Sequence, residues 1–260
     1  MSLRSRPLQF QHFYVSFPHE KIVQVTLNRP EKLNSINKAT SGEIQQIWEL
    51  FDQDESLWVG IITGVGRAFC TGADLQEYKP STEWNEMNKI GMINDMSAPG
   101  LAGLPRRAGK KPIIAAVNAC SSAIFSLPEV KRGIVPVAGC LPRLTRTLGL
   151  QRTTDLVLTG RNVRAKELHD WGLVSRLVES AAEVVPLSIQ VAQDMCRNSP
   201  DALIVGRLGI RQSWETGSVE EAVSTLADRW YPRLMAGPNF SEGIQAFVEK
   251  RSPDWIDSKL

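Results

Sequence analysis

The chain has 260 residues, of which 42% are hydrophobic and 22% are charged, values close to the averages of globular proteins. This composition excludes a disordered chain, a collagen and a small disulfide scaffold, and the length suits one domain with an extension or two small domains. The formal net charge of +2 is too balanced for a protein whose main partner is nucleic acid or an acidic membrane. We see no apolar run that would span a bilayer and no secretory signal.

The first half of the chain alternates predicted strands and helices. Residues 22–27 alternate apolar and polar side chains, which predicts a strand. Thr40-Ser41-Gly42-Glu43 fits a capping box and predicts the start of a helix. The apolar face of this helix comprises Ile44, Ile47, Trp48 and Phe51. Residues 58–63 and 113–117 predict short apolar strands, the second buried on both faces. This order is typical of an α/β fold.

The last third of the chain is predicted to be helical. Apolar periodicity predicts helices at 183–196 and 200–214. Ser218-Val219-Glu220-Glu221 fits a second capping box that opens a helix running to Leu234, and Ser241 is suited to cap a final helix. We therefore expect an α/β core followed by a helical region. The predicted domains are residues 1–182 and 183–260.

The stretch most informative about chemistry is 58–77, where a predicted strand runs into a loop that carries Gly64, Gly66 and Gly72. The loop ends in Asp74-Leu75-Gln76-Glu77, which has the form of a helix cap. A tight loop that leads into a helix leaves backbone N–H groups unpaired, and these can bind a phosphate or a developing oxyanion. An ordinary strand-to-helix turn is the alternative. The third glycine of a dinucleotide-binding motif is missing, which disfavours a Rossmann site.

A second candidate for chemistry is Glu129, a carboxylate among apolar neighbours at 127–134. If its side chain is buried there, it can take or give a proton near neutral pH. The alternative is an exposed glutamate that pairs with Lys131 or Arg132.

The four cysteines do not form a metal-binding pattern. None belongs to a CxxC pair or lies near a histidine at ligand spacing, so zinc is not indicated. We expect unpaired thiols in a reducing compartment. The cysteines are Cys70, Cys120, Cys140 and Cys196.

Six blocks of sequence together carry a resemblance to a known family. They include the loop Ala68-Phe69-Cys70-Thr71-Gly72-Ala73-Asp74 and the segment Pro128-Glu129-Val130-Lys131-Arg132-Gly133-Ile134. The chain resembles the enoyl-CoA hydratase/isomerase, or crotonase, superfamily over most of its length. The six blocks lie at 23–37, 61–75, 111–118, 125–149, 157–178 and 242–255.

The resemblance implies a fold, a substrate class and an assembly. The implied fold is an α/β spiral of ββα units, followed by a helical region that builds trimers, often hexamers. The implied substrate is an acyl thioester of coenzyme A, so no separate cofactor is expected. One backbone N–H that holds the thioester oxygen maps to Ala73, and the catalytic acid/base maps to Glu129. The implied site-lining loop consists of Ala73, Asp74, Leu75 and Gln76.

Further binding residues are implied by the same resemblance. Arg29, Lys32 and Leu33 fall where the family meets the nucleotide end of coenzyme A, and cations there suit phosphates. Phe247 and Lys250 match residues that reach the ligand of a neighbouring subunit. For each basic residue the alternative is a solvated surface charge. The stretch 92–111 is expected to shape the acyl pocket.

The chain departs from the family pattern after Asn118. The family normally continues with a Gly-Gly-Gly-x-Glu-Leu segment and a helix, whereas here Ala119-Cys120-Ser121-Ser122-Ala123-Ile124 leads directly to Phe125. The second oxyanion donor and the first of two glutamates are missing with that segment. Backbone N–H groups of Ser121 or Ser122 are possible substitutes for the donor.

This departure sets the expected chemistry. Addition of water across a conjugated double bond uses two carboxylates, whereas shifting a double bond needs only one base. The single Glu129 therefore favours an isomerase over a hydratase. Two alternatives stay open. One is a catalytically impaired member that binds acyl-CoA or assembles with active homologues, and the other is a gene model that lost a segment.

The C-terminal residues Ser258-Lys259-Leu260 match the peroxisomal import tripeptide. We therefore expect a peroxisomal protein that meets the import receptor, with the tripeptide beyond the last helix where the receptor could reach it. Peroxisomes carry out β-oxidation of acyl-CoA, so this location agrees with the family. The pathway is β-oxidation or a biosynthetic route that uses its enzymes.

Overall fold

The computed structural model describes residues 2–77, 100–117, 123–136 and 138–260. Its larger sheet has four strands in the order β1-β2-β3-β4, with β1 and β2 antiparallel and the other neighbours parallel. The four strands are β1 (Phe13–His19), β2 (Ile22–Leu27), β3 (Val59–Gly64) and β4 (Ile113–Ala115). Parallel strands bring their carboxyl ends to one edge, so β2 and β3 deliver their following loops to the same place.

The first helix, α1 (Lys38–Gln53), packs its apolar face on this sheet. Its residues Ile44, Ile47, Trp48 and Phe51 are buried in one cluster with Val23 and Val25 of β2. The helix begins before the predicted capping box because the side chain of Asn37 accepts a hydrogen bond from the N–H of Thr40 at 2.8 Å. An N-cap at Asn37 satisfies one of the free N–H groups of the first turn.

The strand β4 corrects the prediction for 113–117. It is shorter than predicted and is not buried on both faces, since Ile113 and Ile114 are partly buried and Ala115 is exposed. The reason is its place in the described sheet, where it pairs with β3 on one side and ends the strand order. An apolar run alone does not distinguish a central strand from an edge strand.

A second layer is built around a small antiparallel sheet of β5 (Ile124–Phe125) and β6 (Val163–Arg164). Leu156, Val163 and Leu168 form its buried cluster. A short 3-10 helix, Pro128–Arg132, leads from β5 into this layer. The layer's α-helices are α2 (Cys140–Leu148), α3 (Leu150–Thr159) and α4 (Ala165–Asp170).

Between Val184 and Glu249 the described chain folds into five α-helices. Val184 and Ala192 of the first of these pack in one cluster with Ile22, Val59 and Ile61, so the helical region joins the sheet directly. The predicted boundary near residue 182 stays a prediction. The helices are α5 (Val184–Cys196), α6 (Pro200–Glu215), α7 (Val219–Arg229), α8 (Tyr231–Ala236) and α9 (Pro238–Glu249).

Two helix limits in this region differ from the prediction. Ser218 caps α7 as predicted, by accepting the N–H of Glu221 at 3.3 Å, but the helix stops at Arg229 instead of running to Leu234. A new helix, α8, follows with a proline in its first turn, a position that proline tolerates at a helix start but not inside one. Likewise α9 begins at Pro238, so Ser241 lies inside the helix and does not cap it.

The segment after α9 packs back onto the sheet. The Asp257 carboxylate accepts hydrogen bonds from Lys21 Nζ at 2.8 Å and from Trp58 Nε1 at 2.9 Å. The next residue, Ser258, is only 4% exposed. The tripeptide 258–260 lies beyond the last helix, as predicted, but it starts against the body of the protein. Whether a receptor reaches it stays a prediction.

Both ends of the chain meet at the turn after α1. Ser2 Oγ and the N–H of Leu3 donate to the Asp54 carboxylate at 2.9 and 2.6 Å. The neighbouring residue, Glu55, forms an ion pair with Lys259. This turn therefore contacts residues near both ends of the described chain, Ser2 and Leu3 on one side and Lys259 on the other.

Three cysteines, Cys70, Cys140 and Cys196, are free thiols, and burial raises the pKa of each, that of Cys196 to about 11. Cys120 lies outside the described residues. Within the described part of the chain, no group of histidine, cysteine and acidic side chains could hold a metal ion. The same part contains no helix that is long and apolar enough to cross a membrane.

Candidate active site

The candidate site begins where the loop after β3 meets the loop after β2. Ile36 and Ala73 form an isolated parallel bridge. In it the Ile36 N–H donates to the Gly72 carbonyl, and the Asp74 N–H donates to the Ile36 carbonyl, both at 2.9 Å. Since Ile36 uses both of its groups on the residues that flank Ala73, the Ala73 N–H faces the other way.

The N–H groups around Ala73 are occupied. Gly72 N–H contacts Cys70 Sγ at 3.3 Å, and Gln76 N–H donates to Asp74 Oδ1 at 3.1 Å. Asp74 therefore acts as a cap, as predicted, although the helix that follows is a single 3-10 turn, Leu75–Glu77. Among the residues that the structure describes, the Ala73 N–H has no acceptor. It is a free donor of the kind that can hold an oxyanion.

Arg29 is engaged inside the protein. Its Nη1 lies 2.7 Å from Asp74 Oδ2 and 3.3 Å from the Ser35 carbonyl. The hydrogen bond from Arg29, together with the N–H of Gln76, lowers the pKa of Asp74. The role of Arg29 at the phosphates of coenzyme A stays a prediction, and the observed partner of its guanidinium is a carboxylate.

Lys32 and Leu33 lie on the same loop as Arg29. Lys32 is exposed, and the structure gives it no ion pair among the described residues, so its ammonium is available to a phosphate. Its charge is close enough to help lower the pKa of Asp74, after the larger effects of Arg29 and Gln76. Leu33 ends a short 3-10 turn in the left-handed region with φ of 52°.

Asn34 is a site residue that the sequence reasoning missed. It is 1% exposed, and its Oδ1 accepts the Arg29 N–H at 2.9 Å. Its Nδ2 donates to the carbonyls of Val65 and Ala68 at 2.9 and 2.7 Å, which ties the loop after β2 to the loop after β3. Its backbone is left-handed with φ of 57°, a conformation that asparagine tolerates better than most residues. Only that tolerance is visible in the sequence.

Glu129 lies on the short helix Pro128–Arg132. Its Oε2 is buried and has no hydrogen-bond partner among the described residues. Among the described side chains, Glu129 forms no pair with Lys131 or Arg132, and Arg132 donates to the Pro128 carbonyl instead. Burial raises the pKa of Cys140, at the start of α2, and the nearby Glu129 carboxylate raises it further. Glu129 is thus a partly buried residue with one buried carboxylate oxygen, Oε2, that has no partner within the described part of the chain.

The structure does not bring every predicted site residue together. Phe247 of α9 is 84% exposed, and Lys250 ends the same helix in an exposed left-handed conformation. Neither belongs to the network of Ala73, and Glu129 also lies outside that network. Ser121, Ser122 and part of the stretch 92–111 lie outside the described residues.

Two comparisons with known sequences agree on a family. A family model described as enoyl-CoA hydratase/isomerase matches residues 18–123 and 112–258. A mevalonyl-coenzyme A hydratase of Aspergillus fumigatus is 50% identical, and one of Beauveria bassiana is 37% identical, each alignment covering 100% of both chains. These two alignments run over 278 and 280 positions, so at least 18 and 20 positions have no residue in this chain of 260.

Solved structures show the same fold. A crystal structure of an enoyl-CoA hydratase from Bacillus anthracis matches with a TM-score of 0.82 at 28% identity, covering 94% of this chain and 99% of that one. An enoyl-CoA hydratase from Mycobacterium tuberculosis matches with a TM-score of 0.81 at 28% identity, covering 95% and 99%. The predicted crotonase-like α/β fold is confirmed. The chain is a member of the enoyl-CoA hydratase/isomerase family, whose enzymes act on acyl-CoA thioesters.

Proposed function

We propose that this protein is a hydratase that interconverts mevalonyl-CoA and its dehydrated enoyl-CoA. The observation that carries this proposal is the 50% identity, over the whole of both chains, to a protein named mevalonyl-coenzyme A hydratase. A second relative with the same name is 37% identical over the same extent. We assign the reaction to two groups, the free N–H of Ala73 and the carboxylate of Glu129, whose Oε2 has no partner among the described residues.

The two relatives that cover the whole chain are named hydratases, which argues against the predicted preference for an isomerase. That prediction rests on the single glutamate. The chemistry of this substrate also accommodates one carboxylate. In a syn elimination the C2 proton and the C3 hydroxyl leave from the same face, so one carboxyl group can serve both.

In the proposed reaction the thioester carbonyl accepts a hydrogen bond from the Ala73 N–H. The Glu129 carboxylate removes a proton from C2, and the negative charge collects on the carbonyl oxygen that Ala73 holds. The C2–C3 double bond then forms while the C3–O bond breaks. The hydroxyl takes the proton from Glu129 and leaves as water, so the carboxylate is restored. Hydration is the same sequence in reverse.

The family resemblance implies that the Gly-rich segment is absent, and the proposed site then has one oxyanion donor, the Ala73 N–H. Removal of one such donor lowers kcat by roughly 100–1000-fold in other enzymes. The positions without a residue in the alignments support the view that this chain is shorter than its relatives. They also favour the alternative of an impaired member that still binds acyl-CoA.

The proposal is tested by incubating the purified protein with mevalonyl-CoA and following loss of water by mass spectrometry. Glu129→Gln keeps the shape of the side chain and removes the base, so kcat should fall by about 100–10,000-fold. Binding of an unreactive acyl-CoA, measured by calorimetry, should change by no more than threefold. Near-normal turnover in Glu129→Gln would refute the role of Glu129.

A second substrate separates the remaining outcomes. If crotonyl-CoA is hydrated far faster than mevalonyl-CoA is dehydrated, the family activity stands and the proposed acyl group is wrong. If the wild type binds acyl-CoA and converts neither substrate, the impaired alternative is correct.

We propose further that the protein is peroxisomal and meets the import receptor through Ser258-Lys259-Leu260. The packed position of Ser258 means that the receptor would have to draw the tripeptide away from the sheet. A homotrimer or hexamer is proposed as well, supported by the exposed apolar face of α9, which comprises Ile244, Phe247 and Val248.

A further inference from the structure

The donor in the proposed reaction is a backbone group, so its direction depends on the two loops that hold it. The Ile36–Ala73 bridge consists of two hydrogen bonds at the rim of the sheet, outside the named strands. With only these two hydrogen bonds, the bridge could open and change the direction of the Ala73 N–H. A misplacement of about 1 Å at a reacting atom can lower an enzyme's rate by roughly 100-fold.

One ion pair joins the two sides of this bridge. Arg29, before Ile36 in the chain, reaches Asp74, directly after Ala73, at 2.7 Å. The side chains are largely shielded from solvent, at 16% and 9% exposure, so the pair is screened less than a surface pair. The same guanidinium group donates to the Ser35 carbonyl, next to Ile36.

A second clamp holds the far side of the same loops. The three hydrogen bonds of Asn34 connect the backbone of Arg29 to the carbonyls of Val65 and Ala68. Leu33 and Asn34 are both left-handed, a conformation that non-glycine residues keep only where the surroundings hold them. The backbone at both ends of the Ala73 loop is thus fastened to residues 29–36.

We propose that Arg29 and Asp74, supported by Asn34, are positioning residues that aim the Ala73 N–H at the thioester oxygen. This inference rests on the proposed function of Ala73 and extends it to residues that need not touch the substrate. In this inference the partner of the Arg29 guanidinium is the carboxylate of Asp74, in place of a phosphate of coenzyme A. The two assignments predict different kinetics, because a phosphate contact acts on binding and an oxyanion donor acts on the transition state.

The test compares Arg29→Met, Asp74→Asn and the double variant with the wild type. Each single variant should lower kcat by roughly 10–100-fold with KM within threefold. The double variant should be no worse than either single variant, because the two residues act as one unit. Arg161→Met is the matched control, since Arg161 also lies 2.7 Å from a carboxylate, that of Asp155, and is remote in sequence from the bridge.

A spectroscopic readout does not depend on turnover. The conjugated thioester 3-phenylpropenoyl-CoA absorbs at longer wavelength when its carbonyl oxygen accepts a hydrogen bond. The shift on binding should be smaller in Arg29→Met and Asp74→Asn than in the wild type and Arg161→Met. A full shift in both variants would overturn the inference, as would a raised KM at unchanged kcat. If the absorption of the bound thioester does not shift in the wild type, the Ala73 N–H does not bind the carbonyl oxygen, and the positioning inference is refuted. If the absorption shifts but mevalonyl-CoA is not dehydrated, only the proposed reaction is refuted.

Discussion

Lys111 is a buried lysine whose ammonium group closes the end of a helix. Its side chain is 3% exposed, and Nζ donates to the carbonyls of Phe51 and Asp54 at 2.8 and 2.5 Å. Carbonyls at the C-terminal end of a helix lack partners within the helix and attract a cation. Burial, and then the charge of Lys110, lower the pKa of Lys111 from 10.5 to about 8.

This lowered pKa predicts a pH dependence of stability. Below pH 8 the lysine is protonated in both the folded and the unfolded chain. Between about pH 8 and 10.5 the unfolded chain binds more protons, so the free energy of unfolding of the wild type should rise with pH relative to Lys111→Met, by at most about 1.4 kcal/mol per pH unit. Urea unfolding of both proteins at pH 7.5, 9 and 10 measures this difference. A constant difference would contradict the prediction, and Lys166→Met, which removes an exposed lysine of α4, is the control.

Two glycines show how closely the elements around the site are packed. A Cβ on Gly64, at the end of β3, would lie 2.5 Å from the Phe69 carbonyl oxygen and 2.7 Å from Asn34 Nδ2. A Cβ on Gly42, inside α1, would meet nothing within 4 Å. The end of β3 therefore requires glycine, whereas the helix only tolerates it.

We expect opposite effects from the same added methyl group. Gly42→Ala should raise the free energy of unfolding by about 0.5–1 kcal/mol, because alanine loses less backbone entropy in a helix. Gly64→Ala should lower it by about 1–3 kcal/mol through overpacking. Urea unfolding of the two variants checks both signs. A Gly64→Ala variant as stable as the wild type would show that the loop after β3 has room to move.

The positions of most elements could be predicted from the sequence, and their ends less well. The alternating residues of β2 predict a strand with the observed limits, 22–27. Its polar residues are buried too, and Gln24 donates to Thr26 at 3.0 Å, which alternation alone does not reveal. Helix starts shift where a nearby residue caps better, as Asn37 does for α1.

The candidate site could be predicted only in part, because its supporting contacts join residues that are far apart in the sequence. A free donor in the loop 58–77 follows from local geometry, and Ala73 and Glu129 from family resemblance. The bonds of Asn34 and Arg29 join residues separated by 31, 34 and 45 positions. No local pattern specifies such partners, so the support of the site emerges only in the folded chain.

At the scale of the whole molecule, the apolar outer face of α9 is a candidate subunit interface. Ile244, Phe247 and Val248 share one face of the helix and are more than half exposed. If this face is a subunit interface, Phe247→Glu should shift the protein from oligomer to monomer, because it would bury a charge. Light scattering after size exclusion measures the mass. Gln46→Glu adds the same charge at an exposed position of α1 and should leave the mass unchanged. A monomeric wild type would refute the interface.

The proposed location gives a prediction in cells. A fluorescent protein fused before residue 2 should accumulate in peroxisomes, and deletion of Ser258–Leu260 should leave it in the cytosol. Asp257→Ala removes the contacts with Lys21 and Trp58 but keeps the tripeptide, so import should persist or become faster. Import of the deleted form would show that another signal acts.

Residues near both chain ends contact Asp54 and Glu55, so the protein is well suited to circular permutation. Because Ser2 and Lys259 contact neighbouring residues of one turn, a glycine-serine linker could join residue 260 to residue 2. New termini could then be opened in an exposed loop such as the one between α6 and α7, at Gly217. A permuted chain that keeps its activity would allow sensors or anchors to be attached far from both original ends.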